Sequence, residues 1–149
     1  MSTIKVDTYL TRGGASEIAI DKLKGVSSAS SISVVAEGGT NTTNLQQGLA
    51  KAWCKTTGVG TPALGDSHNM ASVTDQGTGV ETFQFTSAMV NALFSTSASG
   101  QLDGTVITIQ QRTDSSLAPT TARTGVHTHS IVGGNTDCNK SVTVHGDLA

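Results

Sequence analysis

A chain of 149 residues holds one modest domain, or a small domain with an extended attachment segment, and it excludes two full hydrophobic cores. Apolar residues make up 36% of it and aromatic residues 3%, so a lone chain buries little apolar surface and we expect a homo-oligomer. The net charge of −2, with Lys and Arg scattered along the chain, disfavours nucleic-acid binding. No stretch approaches the roughly 18–20 continuous apolar residues of a membrane helix, and the N-terminus lacks the apolar core of a signal peptide.

The first 40 residues alternate short β-prone runs with polar and glycine-rich breaks. Residues 3–10 (TIKVDTYL) alternate β-branched and polar side chains as a short strand does, and residues 17–20 and 32–35 add two brief runs. These pieces are too short to form a core of their own. We therefore expect residues 1–40 to form an extended arm that lies against neighbouring chains or against other proteins of an assembly.

A short helical neck is predicted for residues 41–50. Asn44 is a suitable N-cap, and a helix over residues 45–50 would place Leu45 and Leu49 on one face, four residues apart. Gly48 lowers the stability of such a helix by about 1 kcal/mol relative to alanine. A neck between two parts of the chain and a plain capped turn both fit this pattern.

Residues 51–149 carry a stronger β pattern, interrupted by glycine and proline. Six strands are predicted, with the bounds 51–57, 68–74, 80–85, 105–112, 126–132 and 141–145. Residues 88–95 (AMVNALFS) are compatible with either a strand or one helical turn. Short strands separated by turn signals favour a compact antiparallel β-sandwich. The predicted fold class is therefore all-β, with an extended N-terminal arm, a short helical neck and a C-terminal antiparallel sandwich.

The hairpin within residues 66–88 is the most specific local prediction. Two alternating runs flank the turn sequence DQGTG at residues 75–79, and its glycines suit a tight turn between antiparallel strands. In the return strand Phe83 and Phe85 share a face with Glu81, because strand side chains alternate. The glycines do not form a phosphate cradle, since no helix follows them.

Four segments resemble corresponding pieces of the tail-fibre and virion structural proteins of marine podoviruses and related phages. They are the opening MSTIKVD, the linker EGGTNTTNLQQGLAKAW, the hairpin DSHNMASVTDQGTGVETFQFTSAM and the closing SVTVHGDLA, so the resemblance covers nearly the whole chain. In that family these motifs are fold signatures. The sequence departs from the family pattern at CKT after Trp53, where an apolar residue is common, and at GVHTH over residues 125–129, so the resemblance implies no role for these histidines.

The resemblance implies a virion protein that is assembled in the host cytoplasm. Residues 1–40 are expected to bind other tail or capsid proteins, and the neck to join three chains into a homotrimer through Leu45, Leu49 and Trp53. The sandwich of residues 51–149 would then be displayed for attachment to a host-surface receptor. The alternative is a purely architectural capsid decoration or tail adaptor protein. For a receptor binder, contacts are expected in loops distal to the arm, with candidates at residues 58–66, 97–103 and 133–140.

Cys54 and Cys138 are far apart in the sequence, so they form neither a Cys-x-x-Cys redox pair nor a zinc ribbon. A structural disulfide and two buried, reduced thiols both fit the sequence. Assembly in a reducing cytoplasm favours the thiols.

The His-x-His sequence at His127 and His129 is a candidate metal site. On a strand both side chains point to the same face, about 7 Å apart. If three chains met along an axis there, six imidazoles could surround one Fe, Ni or Zn ion. A pair of solvent-facing histidines is the alternative, and His68 and His145 stand alone and are expected at the surface.

No catalytic site is predicted, and apart from the candidate metal ion no cofactor is expected. The nucleophile elbow Gly-x-Ser-x-Gly does not occur, and the serine-rich runs have no base positioned by the sequence. Asp66, Asp75 and Glu81 could be paired carboxylates, but they lie at or near the turns of one hairpin, where turn chemistry explains the aspartates. The expected role is structural or adhesive.

Overall fold

The computed structural model describes residues 13, 22–23, 32–36, 38–102, 104–114 and 117–149. Within these ranges the chain is all-β apart from one short helix, which confirms the predicted fold class; the predicted strands at residues 3–10 and 17–20 lie outside them. The helix α1 is Leu45–Gly48. The strands are β1 Ser33–Val35, β2 Thr42–Asn44, β3 Ala52–Thr57, β4 Ala63–His68, β5 Met70–Asp75, β6 Val80–Phe85, β7 Ser95–Gln101, β8 Ile107–Gln111, β9 Arg123–Ser130, β10 Gly134–Asn135 and β11 Asn139–His145.

Strands β3 to β11 form two antiparallel sheets. The first, called the four-stranded sheet below, has the order β4-β3-β11-β7. The second, called the five-stranded sheet, is built around β9. One side of β9 pairs with β8, and the other side pairs with β6 and, further along, with β10. β6 also pairs with β5. The hairpin of β1 and β2 is a separate two-stranded sheet ahead of the neck.

The two sheets pack face to face, and the alternation of side chains decides which residues enter the core. On β3, Ala52 and Cys54 are buried while the residue between them is exposed. Phe83 and Phe85 of β6 enter the same core, as the hairpin pattern predicts, and the Phe85 ring meets Phe94 edge-on with 5.5 Å between ring centroids. The cluster is completed by Met70, Met89, Val126, Val142 and Val144.

The turn between β5 and β6 confirms the predicted hairpin. Gly77 and Gly79 have φ angles of 119° and 71°, in the region that favours glycine. The Asp75 carboxylate accepts a hydrogen bond from the Gly77 amide at 2.8 Å. At Gly79 a Cβ atom would lie 2.5 Å from the carbonyl oxygen of Thr128, so the turn packs closely against β9.

The predicted strand of residues 68–74 is observed as β5, but its predicted start is wrong because the chain changes sheets at Asn69. β4 ends at His68 and β5 begins at Met70, and Asn69 between them has a φ of 54°. The Asn69 side chain fixes this corner: its Nδ2 donates to the carbonyl oxygens of Lys51 and Ser87, each at 3.1 Å, and its Oδ1 accepts from the Ser87 amide at 2.7 Å. Asparagine adopts this left-handed conformation more readily than most residues.

Several strands occupy segments that the sequence predicts as loops. Among the described residues after the neck there are nine strands, where the sequence predicts six. The predicted loop of residues 58–66 runs into β4, that of residues 97–103 is largely β7, and that of residues 133–140 contains β10 and the start of β11. β7 reads STSASGQ, whose small residues have weak strand propensity. Its continuous pairing with β11 compensates for that weakness.

The neck helix is shorter than predicted. Asn44 is its N-cap, as expected, and its side chain accepts a hydrogen bond from the Gln47 amide at 3.0 Å. The helix ends at Gly48, and Leu49 is already extended, with φ −89° and ψ 140°. Leu45 and Leu49 therefore do not share a helical face.

Candidate binding surfaces

The strand directions give the sandwich two distinct ends. β3 starts beside the neck, so the connections at residues 86–94, 112–114 and 117–122 and the segment 146–149 lie at what we call the neck end. The connections at residues 58–62, 76–79, 104–106 and 131–133 lie at the opposite, distal end. Each end is a possible place for contacts with other molecules, because side chains there are not needed for the core between the sheets.

One group of exposed apolar side chains lies at the neck end. Leu93 is 91% exposed, and Leu49, Val90 and Leu148 are also exposed. Leu49, Val90 and Leu148 line a cleft of about 550 Å³ between the neck and the sandwich, together with Lys51 and others. We call these four apolar side chains the neck-end patch. Exposed apolar side chains at one end of a domain, with a cleft lined in part by them, are typical of a protein contact site.

The neck is held against the sandwich by polar contacts. Lys51 is buried, and its Nζ donates to the carbonyl oxygen of Leu49 at 3.1 Å and to that of Gln46, which satisfies one carbonyl group within α1 and one just after it. The Gln47 side chain donates to Asp147 in the last segment of the chain. The cleft is therefore lined both by residues that precede the first strand of the sandwich and by residues that follow its last strand.

The three residues predicted for a trimer contact do not form one surface. Leu45 is half-buried in the helix, and Leu49 lines the cleft. Trp53 points instead from β3 to the outer face of the four-stranded sheet. The sequence analysis did not identify Val90, Leu93 and Leu148 as contact residues. For Val90 and Leu93 a signal was present, because residues 88–95 contain apolar side chains without a clear strand or helix period.

A second group of exposed apolar residues lies at the distal end. Val59, Val106, Ile131 and Val132 are all well exposed, and Val132 is 84% exposed. The Ile131 amide donates to the carbonyl oxygen of Val106 at 3.3 Å, so these two loops are adjacent. Of the three loops predicted for receptor contacts, residues 58–66 contribute Val59 to this end, and the other apolar residues lie outside the predicted ranges.

The outer face of the four-stranded sheet is flat and polar, with one aromatic residue. Strand pairing places His68, Trp53, Thr143 and Ser97 side by side in one row across the four strands. The next row contains Lys55, Ser141 and Ser99. We call these two rows the tryptophan face. A hollow of about 160 Å³ lies in the second row.

His127 and His129 lie on the outer face of the five-stranded sheet, side by side as predicted. Their ring centroids are 5.9 Å apart and the rings are nearly perpendicular. Nε2 of His127 donates to Oδ1 of Asn135 at 2.7 Å, and Nδ1 of His129 donates to the carbonyl oxygen of Ser130 at 2.8 Å. One nitrogen of each ring remains available as a metal ligand. In the part of the chain that the structure describes, no third His, Cys, Asp or Glu joins them, and the metal site stays a prediction that depends on further copies of the chain.

A buried ion pair joins the two sheets inside the core. Nζ of Lys140 on β11 donates to Oε1 of Glu81 on β6 at 2.7 Å, and both side chains are almost inaccessible to solvent. Nζ also donates to the carbonyl oxygen of Cys138 at 3.5 Å, while Oε2 of Glu81 has no hydrogen-bond partner among the described residues. Burial raises the pKa of the Glu81 carboxyl, although the hydrogen bond and charge of Lys140 oppose that rise.

Both cysteines are free and buried, which confirms the prediction of reduced thiols. Burial, followed by the charge of Glu81, raises the pKa of the Cys54 thiol to about 12. A thiol with this pKa stays protonated at neutral pH, and the thiolate is the reactive form. Cys54 is therefore a small apolar core residue in practice.

Comparisons of the chain with family models, with curated proteins and with solved structures gave no match. Among the described residues no helix is long and apolar enough to cross a membrane.

Proposed function

We propose that this chain is a virion structural protein of the tail-fibre type, in which residues 1–40 attach to other tail proteins and the sandwich attaches to the host surface. Three copies associate through the neck end. The support for this proposal comes from the resemblance of the sequence motifs to phage virion proteins and from the distribution of exposed apolar side chains.

The neck-end patch is the observation that carries the proposal. Leu93 is 91% exposed in the connection of residues 86–94, and Leu49, Val90 and Leu148 line a cleft at the same end of the sandwich. Removing a leucine side chain of this size from water is worth roughly 1.5–3 kcal/mol. In a ring of three copies each chain contributes Leu93 to one contact and the cleft to the next, so the ring closes and the neck-end patch of every copy is covered.

A purely architectural role, as a capsid decoration or tail adaptor, is the second candidate. Val34 and Val35 of β1 are exposed in the small sheet ahead of the neck. An exposed apolar hairpin outside the sandwich is suited to an arm that binds to neighbouring subunits. Copy number in purified particles separates the two roles: a small multiple of three at the tail supports the fibre, and hundreds of copies on the capsid support decoration.

The test is the mass of the purified full chain in solution, measured by light scattering for the wild type, Leu93→Asp and Val132→Asp. We expect a trimer for the wild type and a monomer for Leu93→Asp, because the introduced carboxylate of each copy would be buried without a partner against the apolar cleft of the next copy. Val132 is almost equally exposed but lies at the distal end, so Val132→Asp is the matched control and should remain trimeric. A wild-type monomer at every concentration, or loss of the trimer in the control alone, contradicts the proposal.

A further inference from the structure

We infer that the tryptophan face binds a neutral polysaccharide through stacking of a sugar ring on Trp53. This inference rests on the proposed role in surface attachment and specifies the class of ligand. It places the contact on the side of the sandwich rather than in the distal loops.

Trp53 is placed as a stacking platform. Its side chain is 37% exposed on the outer face of β3, and within the described residues its indole has neither a hydrogen bond nor a ring contact. A pyranose ring has one face lined by C–H groups, and the face of an indole is an apolar surface of matching size with a free N–H donor at its edge. An indole that is held by the sheet but makes no polar contact is suited to such a ligand.

The neighbours of Trp53 supply hydrogen-bonding groups in a regular array. Thr143 and Ser97 follow it on β11 and β7, and His68 precedes it on β4. Adjacent strands are about 4.8 Å apart, so the row offers one polar side chain at each step across the sheet. Among the described residues these hydroxyl and imidazole groups make no side-chain hydrogen bonds with the rest of the chain. They are free to exchange water for sugar hydroxyl groups.

The second row extends the same surface. Lys55, Ser141 and Ser99 border the hollow of about 160 Å³, with Gln101 and Asn139 beyond them. The paired residues of the two rows include no carboxylate, and Lys55 is their only permanently charged side chain. The exposed Asp66 lies on the same side of β4 as His68, next to the edge of the second row. A ligand without charge meets no repulsion here, and a single lysine offers too little charge to neutralise the phosphates of a nucleic acid.

The polar surroundings also argue against a subunit contact at Trp53. The centre of a stable contact between copies is apolar and depleted in charged residues, whereas Trp53 lies between His68 and Thr143, with Lys55 in the next row. The exposed aliphatic residues are found at the two ends of the sandwich. Copies of the chain therefore have better contact surfaces than this one.

The chain contains a single tryptophan, so its fluorescence reports on this face alone. The first experiment titrates the full chain with dextran, galactomannan and laminarin and records emission after excitation of the indole. We expect at least one of these polysaccharides to change the intensity or shift the emission to shorter wavelength in a saturable manner. No change with any of the three overturns the inference.

The second experiment measures retardation of the full chain in native gels that contain the polysaccharide identified by fluorescence. Trp53→Ala should lose at least about tenfold in affinity, as expected for the loss of one stacked ring, and Trp53→Phe should retain part of it. Val132→Ala is the matched control at the distal end and should bind as the wild type does. Circular dichroism verifies that each variant is folded, and equal retardation of Trp53→Ala and wild type overturns the inference.

Solution mass separates this inference from the proposed trimer. If Trp53→Ala loses retardation but keeps the wild-type mass, the face binds sugar independently of assembly. If Trp53→Ala changes the mass, Trp53 belongs to a subunit contact, and the inference fails while the trimer stands. A gel containing poly(dT) completes the set, because retardation by the oligonucleotide without retardation by a polysaccharide assigns the stacking surface to nucleobases and also overturns the inference.

Discussion

At the scale of single residues, Glu81 and Lys140 form an ion pair that is buried in the core. Its two charges are removed from water, and their hydrogen bond at 2.7 Å compensates for only part of that loss because Oε2 of Glu81 has no partner among the described residues. The raised pKa of Glu81 has the same cause. The pair therefore adds little to stability, and its main effect is to specify that β6 and β11 face each other.

Removing one member of this pair should be far more harmful than removing both. We expect Lys140→Met to lower the free energy of unfolding by about 3–5 kcal/mol, because Glu81 is left without its countercharge in the core. The double variant Lys140→Met, Glu81→Leu should recover most of that loss. Urea denaturation measures both, and Lys55→Met, an exposed lysine on the neighbouring strand, is the control that should change stability by less than about 0.5 kcal/mol. A double variant no more stable than Lys140→Met would show that the pair itself stabilises the fold.

Sequence alone predicts part of this arrangement. Alternation in VETFQF places Glu81 on the face of Phe83 and Phe85, and all three are buried there. The partner Lys140 lies 59 residues further along the chain, and no local pattern identifies it. A buried charge can be suspected from its position in an apolar face, but its countercharge becomes known only when the sheets are assembled.

At the scale of elements, the turn between β5 and β6 is held by a close approach to β9 as well as by its own glycines. The Gly79 amide donates to Asp137 at 2.6 Å, and the Thr128 amide donates to the Gly79 carbonyl oxygen at 2.8 Å. The turn thus connects the hairpin with β9 and with the segment that leads into β11.

Gly79→Ala should destabilise the protein by more than Gly104→Ala. Both glycines have positive φ, 71° and 69°, so both substitutions strain the backbone by about 1–3 kcal/mol. A Cβ at Gly104 meets nothing within 4 Å, whereas at Gly79 it meets the Thr128 and Thr136 backbone at 2.5–2.9 Å. We expect an additional loss of about 1–3 kcal/mol at Gly79, measured by thermal or urea unfolding. Equal losses in the two variants would mean that the turn moves away from β9 without penalty.

The strands that the sequence predicts well are those whose own residues favour extended structure. β6, β8 and β11 are rich in β-branched or aromatic residues that alternate with polar ones, and all three are observed. β7 and β4 contain small or glycine residues and form because neighbouring strands supply their hydrogen bonds. The corner at Asn69 escapes prediction for a similar reason, since it is fixed by contacts with Lys51 and Ser87.

At the scale of the whole molecule, the sandwich pairs none of its strands with the described strands ahead of the neck. Its two sheets consist of β3 to β11, and β1 pairs only with β2. We therefore expect a chain that lacks residues 1–40 to unfold at the same urea concentration as the sandwich of the full chain, but not to be incorporated into particles. A truncated chain that aggregates or unfolds without cooperativity would show that the arm contributes to the core, and normal incorporation would contradict its attachment role.

The candidate surfaces were less predictable than the fold because they depend on which strands become neighbours. Composition predicts that one chain leaves apolar surface exposed, and Leu93 and Val132 bear this out. The row that joins Trp53 to Thr143 and Ser97 brings together residues from three distant segments. Their common face follows from the order of strands in the four-stranded sheet, which a single sequence does not reveal.

The edge strands of the sandwich have a consequence for how copies can grow together. β4 continues into β5 through the corner at Asn69, and β7 lies against β8, so the edges of the two sheets meet in pairs on either side. A free strand edge invites another chain to extend the sheet, and repeated extension leads to fibrils of unlimited length. Because the edges of the two sheets lie against each other, another chain has less access to either edge, and the arrangement opposes growth of the molecule by strand addition.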